Sequence, residues 1–298
     1  MKPARFKYVR SETAEQAVDL LRLDPGAKIL AGGQSLVPAL SARTVSPSVL
    51  IDIMKCPGLN EVSETKTKLT VGATCRQSFA EKSPQVRRAT PLLSEALGWV
   101  AMPQVRSRGT VVGCLAQGNP GAEVPAVALA LDGEINVLTS GGARETLRAA
   151  DIYAAESGVL VPPRSMIESA SFRTQAEGEG WGFSEIQLRQ GHFALACCAV
   201  TMQLDESRNV RAASIAIGGL TANPYRARRA ERALSGQNAY DDVAIRAAAH
   251  TAVAERPWHA RTDLHATAEF RIRVAVVALT RALTIARNRC HPYGVVDQ

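Results

Sequence analysis

Apolar residues recur at helical and strand spacings in short alternating segments at the start of the chain. After Ser11 and an acidic turn, four apolar residues share one face of a predicted helix: Ala14, Ala17, Val18 and Leu21. A strand is then predicted over 27–31, a helix over 36–43 and a second strand over 48–53. The pattern predicts a compact α/β subdomain over residues 1–58.

The remaining residues divide into a second and a third unit. In the second unit, 59–176, the spacing predicts three strands and two helices: strands at 68–72, 135–138 and 146–148, helices at 79–86 and 91–100. A Glu- and Gly-rich stretch over 174–182 indicates the boundary. In the third unit, 177–298, three strands are predicted at 186–189, 196–204 and 212–217. Ala- and Arg-rich helices follow them from Ala227 to the end. This order predicts an antiparallel sheet backed by helices, and hence an α+β fold.

Length and composition exclude several classes of protein. The chain has 298 residues, of which 46% are hydrophobic, so a large core forms without disulfides and disorder is not expected. The longest apolar stretches, 193–202 and 274–286, are too short or are interrupted, because a bilayer span needs roughly 20 apolar residues. No apolar run follows the charged first residues, so no leader is expected. We therefore expect a cytoplasmic protein without a membrane span.

The chain is basic, with 35 Lys and Arg against 28 Asp and Glu and a formal net charge of +7. Positive charge concentrates in residues 224–232 and in a late predicted helix that carries five arginines: Arg271, Arg273, Arg281, Arg287 and Arg289. These segments lack the interleaved aromatic residues of single-strand binders and any recognisable DNA-reading helix. We expect a solvated or subunit-facing surface and no nucleic-acid partner.

The six cysteines show no spacing of a metal site. They contain neither CxxC nor CxxxC, which argues against a zinc or iron–sulfur site in this chain, and the histidines, His291 among them, form no ligand pair. Cys197 and Cys198 lie in an apolar strand and are expected to be buried on opposite faces. No metal is expected.

Two glycine-bearing loops carry the candidate chemistry. Residues 31–35 join a predicted strand to a helix, and residues 108–114 repeat Gly with a Thr hydroxyl. Such loops direct backbone N–H groups at an anion, although a tight strand-to-helix turn explains the first loop equally well. Neither loop has the GxGxxG spacing of a dinucleotide fold or the Lys of a phosphate loop. Two loops together favour a polyphosphate-bearing ligand held between two subdomains.

Six motifs occur in an order that resembles a known family. They are Ala31-Gly-Gly-Gln-Ser-Leu36, Pro103-Gln-Val-Arg-x-Arg-Gly-Thr110, Gly113-x-Leu-Ala116, Asn119-Pro-Gly-Ala-Glu-Val-Pro125, Gly191-His-Phe-Ala-Leu195 and Ala268-Glu-Phe-Arg271. From residue 3 to about residue 287 the chain resembles the FAD-binding (medium) subunit of molybdenum hydroxylases of the carbon monoxide dehydrogenase and xanthine dehydrogenase type.

The resemblance implies a fold, a cofactor and partners. The fold is the two-subdomain FAD-binding fold of the vanillyl-alcohol oxidase and p-cresol methylhydroxylase type, followed by a C-terminal domain. The partners are a large molybdopterin subunit and a small subunit with two [2Fe-2S] clusters, arranged as a dimer of heterotrimers. In such a complex, electrons pass from the partner clusters through FAD to an external acceptor, and no residue of this chain acts as a catalytic acid or base.

The resemblance also implies cofactor-binding residues. The first loop is Ala31, Gly32, Gly33, Gln34, Ser35 and Leu36, and the second is Thr110, Val111, Val112, Gly113 and Cys114. Four further positions match residues around the cofactor: Val100, Glu123, Ile167 and Glu185. Gln34 cannot form the covalent flavin bond that His forms in other members of the superfamily, so FAD is expected to be noncovalent.

Several positions depart from the family pattern. Val112 replaces the first Gly of Gly-Gly, and a β-branched residue would be strained there if φ were positive. Cys114 replaces Asn or Ser, which weakens one polar contact. His192 replaces the usual Asp. We therefore expect the geometry of the second loop to differ locally.

Two other functions remain open from the sequence. A stand-alone FAD-dependent oxidase or dehydrogenase would need an acid or base over the flavin, and a non-redox nucleotide or nucleic-acid binder would need only the loops. The substrate and the electron acceptor of a molybdenum complex are not encoded in recognisable motifs here. As a further hypothesis, Arg226, Arg228 and Arg229 face a partner or solvent.

Overall fold

The computed structural model describes residues 2–256 and 259–290, so His291 and the last residues of the predicted helical segment lie outside the described part. The first unit is a three-stranded parallel sheet in the order β1-β3-β2 with two helices: β1 (Lys7–Arg10), α1 (Ala14–Leu23), β2 (Lys28–Leu30), α2 (Leu36–Ala42) and β3 (Val49–Asp52). The predicted apolar face of α1 is buried as expected. Thr13, not Ser11, caps this helix, because its side chain accepts a hydrogen bond from the Gln16 N–H at 3.1 Å.

The second unit is a five-stranded antiparallel sheet in the order β4-β5-β8-β6-β7. Its strands are β4 (Val62–Glu64), β5 (Lys68–Gly72), β6 (Glu134–Leu138), β7 (Arg144–Arg148) and β8 (Met166–Arg173). Its helices are α3 (Gln77–Lys82), α4 (Pro84–Ala89), α5 (Pro91–Trp99), α6 (Pro103–Arg106), α7 (Val111–Gln117), α8 (Glu123–Ala130) and α9 (Ala149–Ile152). The single helix predicted over 79–86 is wrong, because the chain turns extended at Ser83 and Pro84 starts a new helix.

The third unit is a four-stranded antiparallel sheet in the order β12-β11-β10-β9, backed by three helices as expected. Its elements are β9 (Gly180–Ile186), β10 (Ala196–Leu204), β11 (Val210–Gly218), β12 (Tyr225–Arg226), α10 (Arg228–Leu234), α11 (Asp242–Val253) and α12 (Ala268–Asn288). The strand predicted at 186–189 lies instead at 180–186, inside the stretch interpreted as a boundary. Its glycines are needed for packing, since a Cβ on Gly182 would lie 2.0 Å from the Ala282 carbonyl oxygen of α12.

The third sheet lies between two hydrophobic cores. Cys197 and Cys198 are both buried, and they contribute to different cores because successive side chains of β10 point to opposite faces, as expected. One core is shared with the second unit through α8, which is buried along its whole length and packs on β10 and β11. The other core is covered by α10, α11 and α12.

Two arginines expected on the surface are largely or fully buried. The Arg226 side chain is 13% exposed and forms ion pairs with Asp132 and Glu231, the latter at 2.5 Å, so most of it lies away from solvent. Arg271 is 2% exposed and binds Asp263 at 2.7 Å and the carbonyl oxygens of Leu195 and Gly219. Part of the positive charge therefore holds the fold together.

Within the described ranges, no helix combines the length and the apolar character that crossing a lipid bilayer would require.

Candidate functional site

The first glycine loop joins β2 to α2 and leaves its backbone donors free. The N–H groups of residues 32–35 find no hydrogen-bond acceptor in the described part of the chain. Gly33 has φ +73°, a conformation that glycine adopts without strain. Gln34 and Ser35 are exposed, and the Gln34 amide donates to the Gly32 carbonyl at 3.3 Å. Four consecutive free donors on an exposed loop form a binding surface for an anion.

The second loop is shorter than expected from the sequence. It covers residues 107–110, and residues Val111 to Cys114 form the first turn of α7. Thr110 caps this helix, since its hydroxyl accepts a hydrogen bond from the Gly113 N–H at 3.0 Å. Val112 has a helical backbone and is buried, so the strain expected of a β-branched residue at positive φ does not arise.

The two loops meet, although they belong to different units of the fold. A Cβ on Gly32 would lie 2.5 Å from the Arg108 carbonyl oxygen and 2.8 Å from the Gly109 Cα. The Arg76 guanidinium donates to the same Arg108 oxygen, and the Gln77 N–H donates to the Gly109 oxygen at 2.9 Å. Only glycine fits at this contact, so the loops form one continuous surface.

Positive charge lies beside the contact between the loops. Burial and the neighbouring Arg108 lower the pKa of the Arg76 guanidinium, and Asp52 opposes them. Neither arginine forms an ion pair with a carboxylate among the described residues. Two unpaired guanidinium groups beside free N–H donors favour a ligand with negative charge.

Residues 99–102, at the end of α5, form a partly exposed apolar surface that we call the wall. Val100 is buried at the end of this helix, whereas Trp99 and Met102 are each nearly half exposed. The wall packs against the segment 187–193. The Met102 side chain lies so close to Gly191 that a Cβ on Gly191 would be 2.8 Å from the Met102 Sδ. Phe193 in that segment is 59% exposed.

Two buried carboxyl groups lie together behind this wall. Glu123 begins α8 and is 2% exposed, and Glu185 in β9 is 6% exposed and pairs with Cys197 across the sheet. Burial raises the pKa of Glu185 far above its usual range, and the Glu123 carboxylate raises it further. Burial also raises the pKa of Glu123, against its own backbone N–H and the charge of Arg106. The Gln187 amide donates to Glu185 Oε1, and Oε2 is buried with no protein partner.

Cys114 and Ile167 complete the residues expected from the sequence. Burial and the Glu123 charge raise the pKa of the Cys114 thiol well above its usual range, which keeps the thiol neutral. Ile167 is buried in β8, where it pairs with Val137 next to a register shift, and α7 packs on the same strand. Ile167 thus lies in the core of the five-stranded sheet.

Sequence reasoning did not single out Arg76 or Arg106. Arg106 lies inside the motif Pro103 to Thr110, but its partners are elsewhere in the sequence: Glu81, Val100 and Ala101. Arg76 carries no motif of its own. The position of Arg106 inside this motif was the only feature of the sequence that could have indicated a role for it.

Comparisons with known proteins agree with this geometry. Residues 4–172 match the profile of the FAD binding domain in molybdopterin dehydrogenase, and residues 181–286 match the CO dehydrogenase flavoprotein C-terminal domain. The 6-hydroxypseudooxynicotine dehydrogenase complex subunit alpha of Paenarthrobacter nicotinovorans is 34% identical over 98% of both chains. The carbon monoxide dehydrogenase medium chain of Hydrogenophaga pseudoflava is 32% identical over 97% of this chain and 100% of its own.

Solved structures give the same result. A chain of the Hydrogenophaga pseudoflava carbon monoxide dehydrogenase that lacks the Mo-pyranopterin moiety superposes with a TM-score of 0.92, at 33% identity, over 98% of this chain and 100% of that one. A chain of quinoline 2-oxidoreductase from Pseudomonas putida 86 has a TM-score of 0.90, at 30% identity, over 97% and 99%. These matches confirm the expected FAD-binding fold with its C-terminal sheet-and-helix domain. The chain belongs to the family of FAD-binding flavoprotein subunits of molybdenum hydroxylases, the group that includes carbon monoxide dehydrogenase and xanthine dehydrogenase.

Proposed function

We propose that this chain is the FAD-carrying electron-transfer subunit of a multisubunit molybdenum-dependent dehydrogenase or hydroxylase. It receives electrons from the iron–sulfur clusters of a partner and delivers them through FAD to an external acceptor. The observation that carries the proposal is the contact of the two glycine loops, where four backbone N–H groups have no acceptor and two arginines form no ion pair among the described residues.

The residues present fit FAD. A diphosphate accepts hydrogen bonds from free N–H groups, and the glycine contact brings the two loops side by side, so that both can face one ligand. The cofactor's polyol chain carries hydroxyl groups that donate and accept hydrogen bonds, and Glu185 Oε2 is a buried oxygen without a hydrogen-bond partner among the described residues. We assign the diphosphate to residues 31–36 and 110–114, and the polyol chain and ring to the remaining four positions: Val100, Glu123, Ile167 and Glu185.

The chain's own residues bind and orient the cofactor. FAD supplies the redox chemistry when bound, because it accepts and donates electrons in steps of one or two. The glycine loops fix the diphosphate, the wall at 99–102 excludes water from one side, and Gln34 leaves the flavin noncovalent. We assign no residue of this chain the role of a catalytic acid or base.

The proposed partners are a large molybdopterin subunit and a small [2Fe-2S] subunit, assembled as a dimer of heterotrimers in the cytoplasm. Names of relatives such as "medium chain" and "complex subunit alpha" support a multisubunit assembly. We divide the chain at 1–58, 59–176 and 177–298, and the gap between the two family matches, 172 to 181, supports the second boundary.

Purification of the chain with its partners tests this function. We expect visible flavin absorbance from this chain, and molybdenum and iron in the complex but not in the isolated chain. FAD should be released by acid precipitation, since it is noncovalent. An isolated, metal-free chain that oxidises a substrate by itself would instead establish the stand-alone oxidase or dehydrogenase.

A further inference from the structure

Arg106 is a buried charge that the proposed binding of FAD leaves unexplained. It ends α6 and is 9% exposed. Its guanidinium binds both carboxylate oxygens of Glu81, at 2.8 and 3.1 Å. The remaining nitrogen, Nη1, donates to the carbonyl oxygens of Val100 and Ala101, at 2.9 and 3.0 Å. One side chain therefore connects α3 to the wall that follows α5.

The backbone that Arg106 holds is strained. Ala101 has φ +42°, in the left-handed region that non-glycine residues rarely adopt. Such strain persists only when surrounding contacts impose it, and it concentrates at ligand sites. Here the contacts are the two hydrogen bonds from Arg106 to the carbonyls of Val100 and Ala101.

The strained turn positions a second segment. The Met102 side chain lies against Gly191, and the Trp99 carbonyl accepts a hydrogen bond from the Gln187 amide at 3.5 Å. Gln187 in turn accepts from the Gly191 N–H at 3.0 Å and donates to Glu185. The conformation at Ala101 is therefore coupled to the loop that carries Phe193.

We propose that Arg106 is a positioning residue of the flavin site, which holds Ala101 left-handed and so sets the wall at 99–102 against the segment 187–193. The inference rests on the proposed function, since the wall matters only where a flavin is bound. A lysine at this position could donate to Glu81 or to the two carbonyl oxygens but not to both, because only the planar guanidinium directs its N–H groups to both sides.

The test uses Arg106→Lys, and Glu81→Gln as a second variant that weakens the same contact from the other side. In the cofactor-free chain, we expect amide hydrogen exchange in segments 99–102 and 187–193 to speed up about tenfold, which corresponds to one lost charged hydrogen bond. The Kd for FAD should rise about tenfold, and the circular dichroism of the bound flavin should change.

A rescue variant separates positioning from general stability. In the double variant Arg106→Lys with Ala101→Gly, glycine adopts positive φ without strain. We expect FAD affinity to recover at least half of its loss on a logarithmic scale. If Arg106 only stabilised the fold through Glu81, Ala101→Gly would restore nothing, and that result would overturn the proposal.

Arg173 offers a matched control. Its guanidinium also binds both oxygens of a buried glutamate, Glu179, at 2.9 and 2.8 Å. Arg173→Lys should lower the Tm comparably but leave the FAD affinity and the exchange of residues 99–102 unchanged. If Arg106→Lys behaved in the same way, the proposal would fail. If the wild-type chain bound no FAD, the proposed function would fail, while hydrogen exchange would still decide whether Arg106 holds the turn.

Discussion

A single methyl group at position 32 should separate the two glycine loops. In Gly32→Ala the new Cβ would meet the Arg108 oxygen at 2.5 Å, and backbone atoms cannot move aside as a flexible side chain does. We expect FAD affinity to fall at least about tenfold, or about 1.4 kcal/mol, as measured by fluorescence titration. Gly141→Ala is the control, because its Cβ would meet nothing within 4 Å. Equal affinities of the two variants would contradict the assignment of the loops.

Glu185 should make the stability of the cofactor-free chain depend on pH. Its folded-state pKa is raised by burial and by Glu123, so the folded chain holds this proton more tightly than the unfolded chain. Stability is then fully present at low pH and is lost as the pH rises above the ordinary carboxyl range. The free energy of unfolding, measured with urea, should fall between acidic and mildly alkaline pH. This fall should be smaller for Glu185→Gln than for wild type. The exposed Glu145→Gln should follow wild type, and a parallel loss in all three proteins would refute this role of Glu185.

The candidate site was predictable only where its chemistry is local in sequence. Gly32, Gly33 and Thr110 were singled out because a glycine loop and a neighbouring hydroxyl are short-range features of the sequence. The role of Arg106 was not found, because it depends on Glu81, which is 25 residues away along the chain. The condition for strain at Val112, a positive φ, is not met, since the Thr110 cap starts a helix there.

At the scale of elements, periodicity predicted the helices better than the glycine-containing strand. The apolar face of α1 follows directly from its spacing, and it is buried. The glycines of β9 indicated a linker, yet they form a strand because α12 packs so closely that any side chain at Gly182 would collide with it. Packing between distant elements therefore decides the structure of this segment.

Replacement by Ala should change stability in opposite directions at two glycines, one at this contact and one outside it. Gly182→Ala would place a Cβ 2.0 Å from the Ala282 oxygen, so we expect a loss of about 1–3 kcal/mol in the free energy of unfolding. Gly98→Ala lies in α5, where the new Cβ meets only Glu81 Oε1 at 3.9 Å, and it should gain about 0.5–1 kcal/mol. Chemical denaturation of both variants measures the two changes, and a stable Gly182→Ala protein would disprove the packing argument.

At the scale of the molecule, some of the 35 Lys and Arg side chains lie inside the fold. Arg106 and Arg226 form ion pairs with Glu81 and Asp132, which lie far from them in the sequence. Arg271 is buried and donates to the distant carbonyl oxygens of Leu195 and Gly219. Composition alone gave only the excess of positive charge, and long-range ion pairs cannot be derived from it. These arginines therefore join parts of the fold, and they do not account for the net positive charge.

The position of the third sheet between two cores predicts how the whole chain unfolds. The Ser214 hydroxyl of β11 donates to the Ala130 oxygen of α8 at 2.6 Å, and β10 and β11 cover one side of the buried helix α8. A fragment of residues 1–176 would expose the apolar side of α8, so we expect it to show poor amide dispersion by NMR and to aggregate. The complete chain should unfold in one calorimetric transition, with equal calorimetric and van't Hoff enthalpies. Two separate transitions, or a well-dispersed spectrum of the fragment, would show instead that the FAD-binding part folds without its C-terminal domain.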